Sequence, residues 1–179
     1  MLPTKKTSNL PSKTEDGIIW KNNFWKRKTT IFYAGREIGY FQMKGFITLG
    51  GRGILIDREF EIKATNIWQT KFEITDKTSN KKIALIKNNM WNGRIRLYVE
   101  NEVFRFKQNI WGSGTWWWQR ENGTKEEKNE KLIKTSILNY FTGKGQFNFG
   151  NTRESNLNAL ILGGIFIKTL NNEGYSMNY

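Results

Sequence analysis

The 179-residue chain contains no cysteine and no histidine. The first absence excludes disulfides, thiolate metal sites, iron–sulfur clusters and cysteine nucleophiles. The second removes every triad built on an imidazole base. Proline is almost missing as well, with only Pro3 and Pro11 present, so beyond residue 11 every backbone N–H is available to a sheet ladder. Acidic side chains are scarce: 16 Asp and Glu stand against 29 Lys and Arg, which leaves a net charge of +13 and a pI near 9.9. The longest apolar run, 159–167, falls well short of the ~20 residues that a membrane-spanning helix requires.

What is present points to a folded domain. Aromatic residues make up 15% of the chain and include eight tryptophans, rings that bury large apolar areas on folding. The length suits one domain, expected over 17–170, between a flexible N-terminal tail (1–16) and a C-terminal tail (171–179). Residues 1–17 lack the apolar core of a secretory signal, and Leu2 stands where N-myristoylation needs glycine. A cytoplasmic protein, with any membrane contact peripheral, is the expectation.

Strand-like alternation recurs along the chain. In 54–64 the apolar Ile54, Ile56, Phe60 and Ile62 alternate with Asp57, Glu59, Glu61 and Lys63, although Arg58 breaks the apolar face. Trp68, Phe72 and Ile74 alternate with Gln69, Lys71 and Glu73. Ile95, Leu97 and Val99 oppose Arg94, Arg96 and Tyr98, while Phe104 and Phe106 oppose Val103, Arg105 and Lys107. Ile133 and Ile137 share a face, and Phe147 and Phe149 close the series. This period of two places one face in a core and the other in water. Asn92-Gly93 and Asn122-Gly123 suit tight hairpin turns, and 76–80 and 100–102 are polar breaks of hairpin length. About ten to twelve short strands in a meander are expected.

The period changes over 154–170, where a helix is expected, with Thr152 or Ser155 as cap, Glu154 in its first turn and Lys168 in its last. Leu157, Leu160, Ile161, Leu162, Ile165, Phe166 and Ile167 point in every direction around its axis, so it must be enclosed. Gly163-Gly164 weakens a helix by about 1 kcal/mol per residue unless a wall approaches closely. A buried strand is the competing reading of 159–167, and the paired glycines disfavour it. The expected fold is mainly β: a closed antiparallel β-barrel of about ten to twelve strands enclosing a C-terminal hydrophobic α-helix.

The hairpin Phe72-Glu73-Ile74-Thr75-Asp76 with Lys82-Ile83-Ala84-Leu85-Ile86-Lys87, followed by the apolar segment 157–167, resembles the tubby-like superfamily. The likeness is to the LURP-one-related proteins and the phospholipid scramblases, and it spans roughly residues 39–170. It implies a barrel around its own helix that binds phosphoinositides or other anionic ligands. The chain departs from the scramblase pattern by having no cysteine cluster and no acidic calcium-binding stretch beside the helix.

Catalysis has few available groups. Asp57, Glu59 and Glu61 form a row of carboxylates, but such a row is ordinarily the solvated face of a strand. Gly50-Gly51-Arg52-Gly53 reads as a tight turn, not a phosphate loop. The reading is a non-enzymatic binding module with no cofactor and no metal. Its candidate anion-binding residues are Lys26, Arg27, Lys28, Lys81, Lys82, Arg94 and Arg96. Its candidate exposed aromatic is Trp117, since in Trp116-Trp117-Trp118 the outer two share a face and the middle one takes the other. The partner expected is an anionic lipid surface or a phosphorylated ligand, each basic residue contributing about 1 kcal/mol near such a surface. The alternatives are a nucleic-acid-binding barrel and a carrier that holds a small apolar molecule in place of the helix. A basic surface that only keeps an aromatic-rich sheet soluble is the plainer reading of the charge.

Overall fold

A computed structural model describes residues 17–45, 49–89, 94–109, 115–125, 128, 130–139, 143–150 and 152–172. The alternating segments form twelve strands in chain order: β1 (Ile18–Asn23), β2 (Lys28–Tyr33), β3 (Arg36–Lys44), β4 (Gly50–Leu55), β5 (Arg58–Ala64), β6 (Lys71–Asp76), β7 (Lys81–Asn89), β8 (Arg94–Val99), β9 (Glu102–Gln108), β10 (Trp116–Arg120), β11 (Lys131–Asn139) and β12 (Lys144–Phe149). Each pairs antiparallel with the next, and β1 pairs with β12 to close the barrel. Closure leaves no sheet edge open to a foreign strand.

The helix α1 (Glu154–Asn172) threads this barrel. Leu160, Ile161, Leu162, Phe166, Ile167 and Leu170 are wholly buried against inward residues such as Phe72, Ile74, Leu97, Phe104 and Trp118. Phe166 meets Phe41 and Phe72 edge-on at 6.2 and 4.9 Å, and the Trp118 indole N–H donates to the Leu160 carbonyl at 2.8 Å. The wall that the glycine pair calls for is Trp116: a Cβ on Gly164 would lie 2.1 Å from its ring. One on Gly163 would meet only ordinary contacts, the nearest at 3.5 Å. The interior is therefore filled by the protein's own helix, which corrects the carrier reading in which a small molecule takes the helix's place. Among the described residues no helix is long and apolar enough to cross a membrane.

Several local expectations are corrected. Residues 54–64 are not one strand but the β4–β5 hairpin, with Ile56 and Asp57 at φ of +49° and +59°. This is the primed-turn geometry usually left to Asn-Gly. Arg58 therefore opens a new strand; its guanidinium bonds the buried Asp76 and lies over the Phe60 ring. Trp68 belongs to the β5–β6 loop and is 79% exposed. Asn122-Gly123 opens a long β10–β11 connection, with the Asn122 side chain reaching Val103 N–H and the Asn101 carbonyl. Thr152 donates to the Leu132 carbonyl, and Ser155 lies within the helix, so neither takes the cap position. Lys168 stands one turn before the helix end. Asn92-Gly93 lies outside the described residues.

A meander puts alternate connections at opposite ends. The β1–β2, β3–β4, β5–β6, β7–β8, β9–β10 and β11–β12 connections share one rim with the C-terminus of α1, here the aromatic rim. The others share the opposite rim with its N-terminus.

Candidate functional site: a basic groove on the outer wall

Inward residues of β6 to β9 fix which side chains face out. With Phe72, Ile86, Ile95, Leu97, Phe104 and Phe106 buried in the core, period two turns Lys71, Lys87, Arg96 and Arg105 outward. Register then aligns them: Lys71 is opposite Lys87, Lys87 opposite Arg96, and Arg96 opposite Arg105. Four strands thus carry an unbroken row of cations across the wall. Like charges directly opposite one another destabilise a sheet, so the row is not explained by folding.

Around this row the surface stays basic. Lys71, Lys87, Arg94 and Arg96, with Trp68 and Tyr98, line a groove of about 590 Å³ that runs up to the aromatic rim. The Lys87 ammonium sits 4.5 Å from the centre of the Tyr98 ring. Farther round, Trp117 is opposite Lys107 on one side and Lys134 on the other, with the Lys131 ammonium 5.0 Å from its ring centre. Two acids border the patch. Glu121 binds Arg96 (3.0 Å), which raises the guanidinium pKa further, and Glu73 binds Lys82 (2.8 Å). Burial, and then the Arg105 and Arg94 charges, hold the Lys107 ammonium below the ordinary lysine value. An anion placed here relieves that repulsion.

Of the residues picked from sequence, Arg94 and Arg96 come together in this groove. Lys81 and Lys82 start β7 at the opposite rim, where Lys82 is paired with Glu73, so they do not join the arginines across the hairpin; Arg96 faces Lys87 instead. Lys26 and Arg27 lie in the β1–β2 turn and Lys28 opens β2, about half the barrel's circumference away. There Arg27 donates to the Gly45 carbonyl (2.7 Å), and Lys28 sits over the Tyr40 ring. Trp117 does face outward, as alternation requires, but it is half-buried. Among the described residues the aromatics that stand free of the surface are Trp25 (93% exposed), Trp68 (79%) and Phe24 (64%). Lys71, Lys87 and Arg105 escape a reading of the sequence because only the register of four strands aligns them with Arg96, and Lys107 because only the β9–β10 register sets it beside Trp117.

The acidic row is dismantled by the fold. Glu61 is covered by Lys63 (3.0 Å) and Arg52 (2.9 Å), with Lys44 at 4.0 Å; Asp57 is in a turn. Burial alone would raise the Glu61 pKa, but the Lys63 and Arg52 hydrogen bonds outweigh it and leave the carboxyl below its usual value. Among the described residues no group of acids is arranged to hold a metal ion.

A second cavity, of about 370 Å³, opens at the aromatic rim beside the end of α1. Trp20, Trp116, Ile137, Phe147 and Ile165 wall it, and Lys168 reaches it. Burial lowers the Lys168 pKa, and among the described residues it has no ion pair. Among the described residues the buried Trp20 indole N–H has no hydrogen-bond partner.

No family model, no curated protein and no solved structure matches this chain.

Proposed function

We propose that the protein is a non-enzymatic module that binds phosphate-bearing anionic ligands on the outer wall of β6 to β9. The carrying observation is the row Lys71, Lys87, Arg96 and Arg105, four cations in register of which, among the described residues, only Arg96 is ion-paired, by Glu121. Adjacent strands lie about 4.8 Å apart, so the row spans about 14 Å. That length matches one multiply phosphorylated headgroup better than a nucleic-acid tract, which needs a longer track of phosphate contacts. The closed twelve-strand barrel around a C-terminal helix supports a place in the tubby-like superfamily, and with it the phosphoinositide reading.

Calorimetry with inositol hexakisphosphate, at low and near-physiological salt, tests this. Binding that weakens with salt and falls roughly tenfold or more in Lys71→Glu/Lys87→Glu supports the reading, since each charge-assisted contact contributes about 1.5–3 kcal/mol. Lys77→Glu/Lys81→Glu, at the opposite rim, is the charge-matched control and keeps the affinity. Equal binding by both variants overturns the site. A preference for a single-stranded oligonucleotide over the inositol phosphate overturns the ligand class.

The second cavity favours one further reading: a pocket for a molecule with an apolar body and one anionic or acceptor group, set beside the helix end. Lys168 and the unpaired Trp20 N–H supply the polar partners. Native mass spectrometry of the purified chain checks it: a retained small molecule that is lost in Lys168→Met supports the pocket, and an unliganded mass in both excludes it.

A further inference from the structure

Two described turns on the aromatic rim share one device, an asparagine whose side-chain oxygen accepts backbone N–H groups from the far side of the turn. Asn23 ends β1, and its side-chain oxygen accepts the Lys26 N–H (3.1 Å) while the Phe24 carbonyl accepts from Arg27 (3.0 Å). Asn66 opens the β5–β6 turn. Its side-chain oxygen accepts the N–H groups of Thr70 and Lys71 (3.0 Å each), and its carbonyl accepts from Gln69 (3.0 Å). Each turn carries one residue at positive φ, Arg27 at +48° and Gln69 at +51°. An asparagine tied to the base of a turn in this way leaves the next two side chains projecting from the end of the barrel. Those side chains are Phe24 and Trp25 in one turn, and Ile67 (93% exposed) and Trp68 in the other.

The same triplet, asparagine then apolar then aromatic, occurs five times in the sequence: Asn23-Phe24-Trp25, Asn66-Ile67-Trp68, Asn89-Met90-Trp91, Asn109-Ile110-Trp111 and Asn139-Tyr140-Phe141. All five fall where the chain passes between strands whose ends share the aromatic rim. The last three tips lie outside the described residues. Five positions after the asparagine stands Lys28, Lys71, Arg94 or Lys144 in four of the five. No Asp or Glu occurs in any of the six connecting segments of this rim. The spacing of the triplets along the chain is irregular, so a search for a fixed period does not find them.

Side chains this exposed add nothing to the folded core and are a liability in solution, so the fold does not account for them. Tryptophan beside lysine is the composition of a bilayer interface: the indole sits at headgroup level and the cation meets anionic lipid. The two described tips are separate and convex, four strands apart on a twelve-strand rim. One flat, deformable surface reaches both, whereas a protein partner would need a matching groove for each. The complementary charge is supplied by the exposed Lys26 and Lys71 beside the tips.

We infer that this rim docks on an anionic phospholipid bilayer, with Trp25 and Trp68 seated at the headgroup boundary. The orientation turns the upper end of the basic groove, which Trp68 walls, toward the headgroups. The inference rests on the anion-binding reading above and names the source of the anion as a membrane.

The test uses the full chain and vesicles of phosphatidylcholine, alone or mixed with phosphatidylserine. The key variant is Phe24→Ser/Trp25→Ser, because that turn is remote from the groove. The expected results are co-sedimentation of the wild type with the mixed vesicles, quenching of its tryptophan emission by acyl-brominated lipid, and a roughly tenfold or greater loss of vesicle affinity in the variant. Its thermal unfolding and its affinity for inositol hexakisphosphate should be unchanged. Vesicle binding and quenching that match the wild type overturn the docking, while the groove reading stands. Loss of soluble-anion binding in the wild type with vesicle docking intact overturns the groove and leaves the rim. Self-association without lipid that disappears in the variant overturns the bilayer in favour of a second copy of the chain.

Discussion

The two ends of the barrel are made of the same strands and serve opposite purposes. At the polar rim, side chains fold back into the structure. Asp76 is wholly buried and takes Arg58, the Ser79 hydroxyl (2.8 Å) and the Thr78 N–H (2.9 Å). Asn122 stitches the long β10–β11 connection to the β8–β9 turn, and Arg120 bonds Glu102 (3.0 Å), which also receives Asn156 from the helix. The segments that connect strands here contain Asp57, Glu100, Glu121, Glu126, Glu127 and Glu130 and no aromatic residue. At the aromatic rim Asn23 and Asn66 are tied down in the same manner, yet the residues they position, Phe24, Trp25, Ile67 and Trp68, face away from the protein. Anchoring on one side and display on the other separates the residues that hold the fold from those that stand exposed outside it.

The largest effect expected from that separation is at the polar rim. In Arg58→Met the buried Asp76 loses its counter-ion, and we expect a destabilisation of about 3 kcal/mol, at the low end for such pairs because Arg58 is itself half exposed. Urea melts measure it. The pH dependence should move with it. Burial raises the Asp76 pKa, but the Arg58 and Ser79 hydrogen bonds outweigh this and leave it below the usual carboxylate range. A carboxyl whose folded pKa is depressed contributes stability above its unfolded pKa, near 3.9, and loses it as pH falls through the folded value. The wild type should therefore lose stability on acidification below about pH 4, and Arg58→Met should lose less over that interval. Parallel acid limbs would mean that Asp76 is not held by Arg58.

Between the rims runs the helix, and its adjacent glycines give a smaller, two-signed effect. Gly164→Ala drives a methyl into the Trp116 ring and should destabilise by about 1–3 kcal/mol. Gly163→Ala meets no close atom and should stabilise by roughly 0.5–1 kcal/mol through helix propensity. Thermal melts of the two single variants decide. Equal signs would remove Trp116 as the reason for the glycine.

These contrasts also mark what the linear sequence discloses. The enclosed helix was legible because a segment apolar all round its axis has only one kind of place to go, and the strand faces of Ile95, Leu97 and Val99 because alternation needs no partner to be read. The β4–β5 turn was not, since Ile56 extends the alternation through the residue where the chain reverses. Trp68 reads as a strand residue for the same reason: an indole suggests core until its exposure is known. The groove was half legible. Arg94 and Arg96 are two apart on one strand, but Lys71, Lys87 and Arg105 join them only through cross-strand register, which the sequence does not contain. The triplets of the aromatic rim were in plain view and lacked only a regular period.

The smallest effect on stability is the one that most sharpens the comparison. Trp25→Ser and Ile67→Ser each remove a side chain that is 93% exposed. Surface substitutions away from structural features change stability by about 0.5 kcal/mol or less. Both variants should therefore melt with the wild type in the absence of lipid, while Asn66→Ala, which releases the base of the β5–β6 turn, should cost about 1 kcal/mol, as the loss of a capping side chain does. Such a result would assign the asparagine to the fold and the two residues after it to something outside the fold. A loss of more than about 1 kcal/mol in Trp25→Ser would instead make the tip a structural element, and the aromatic rim would then differ from the polar one only in composition.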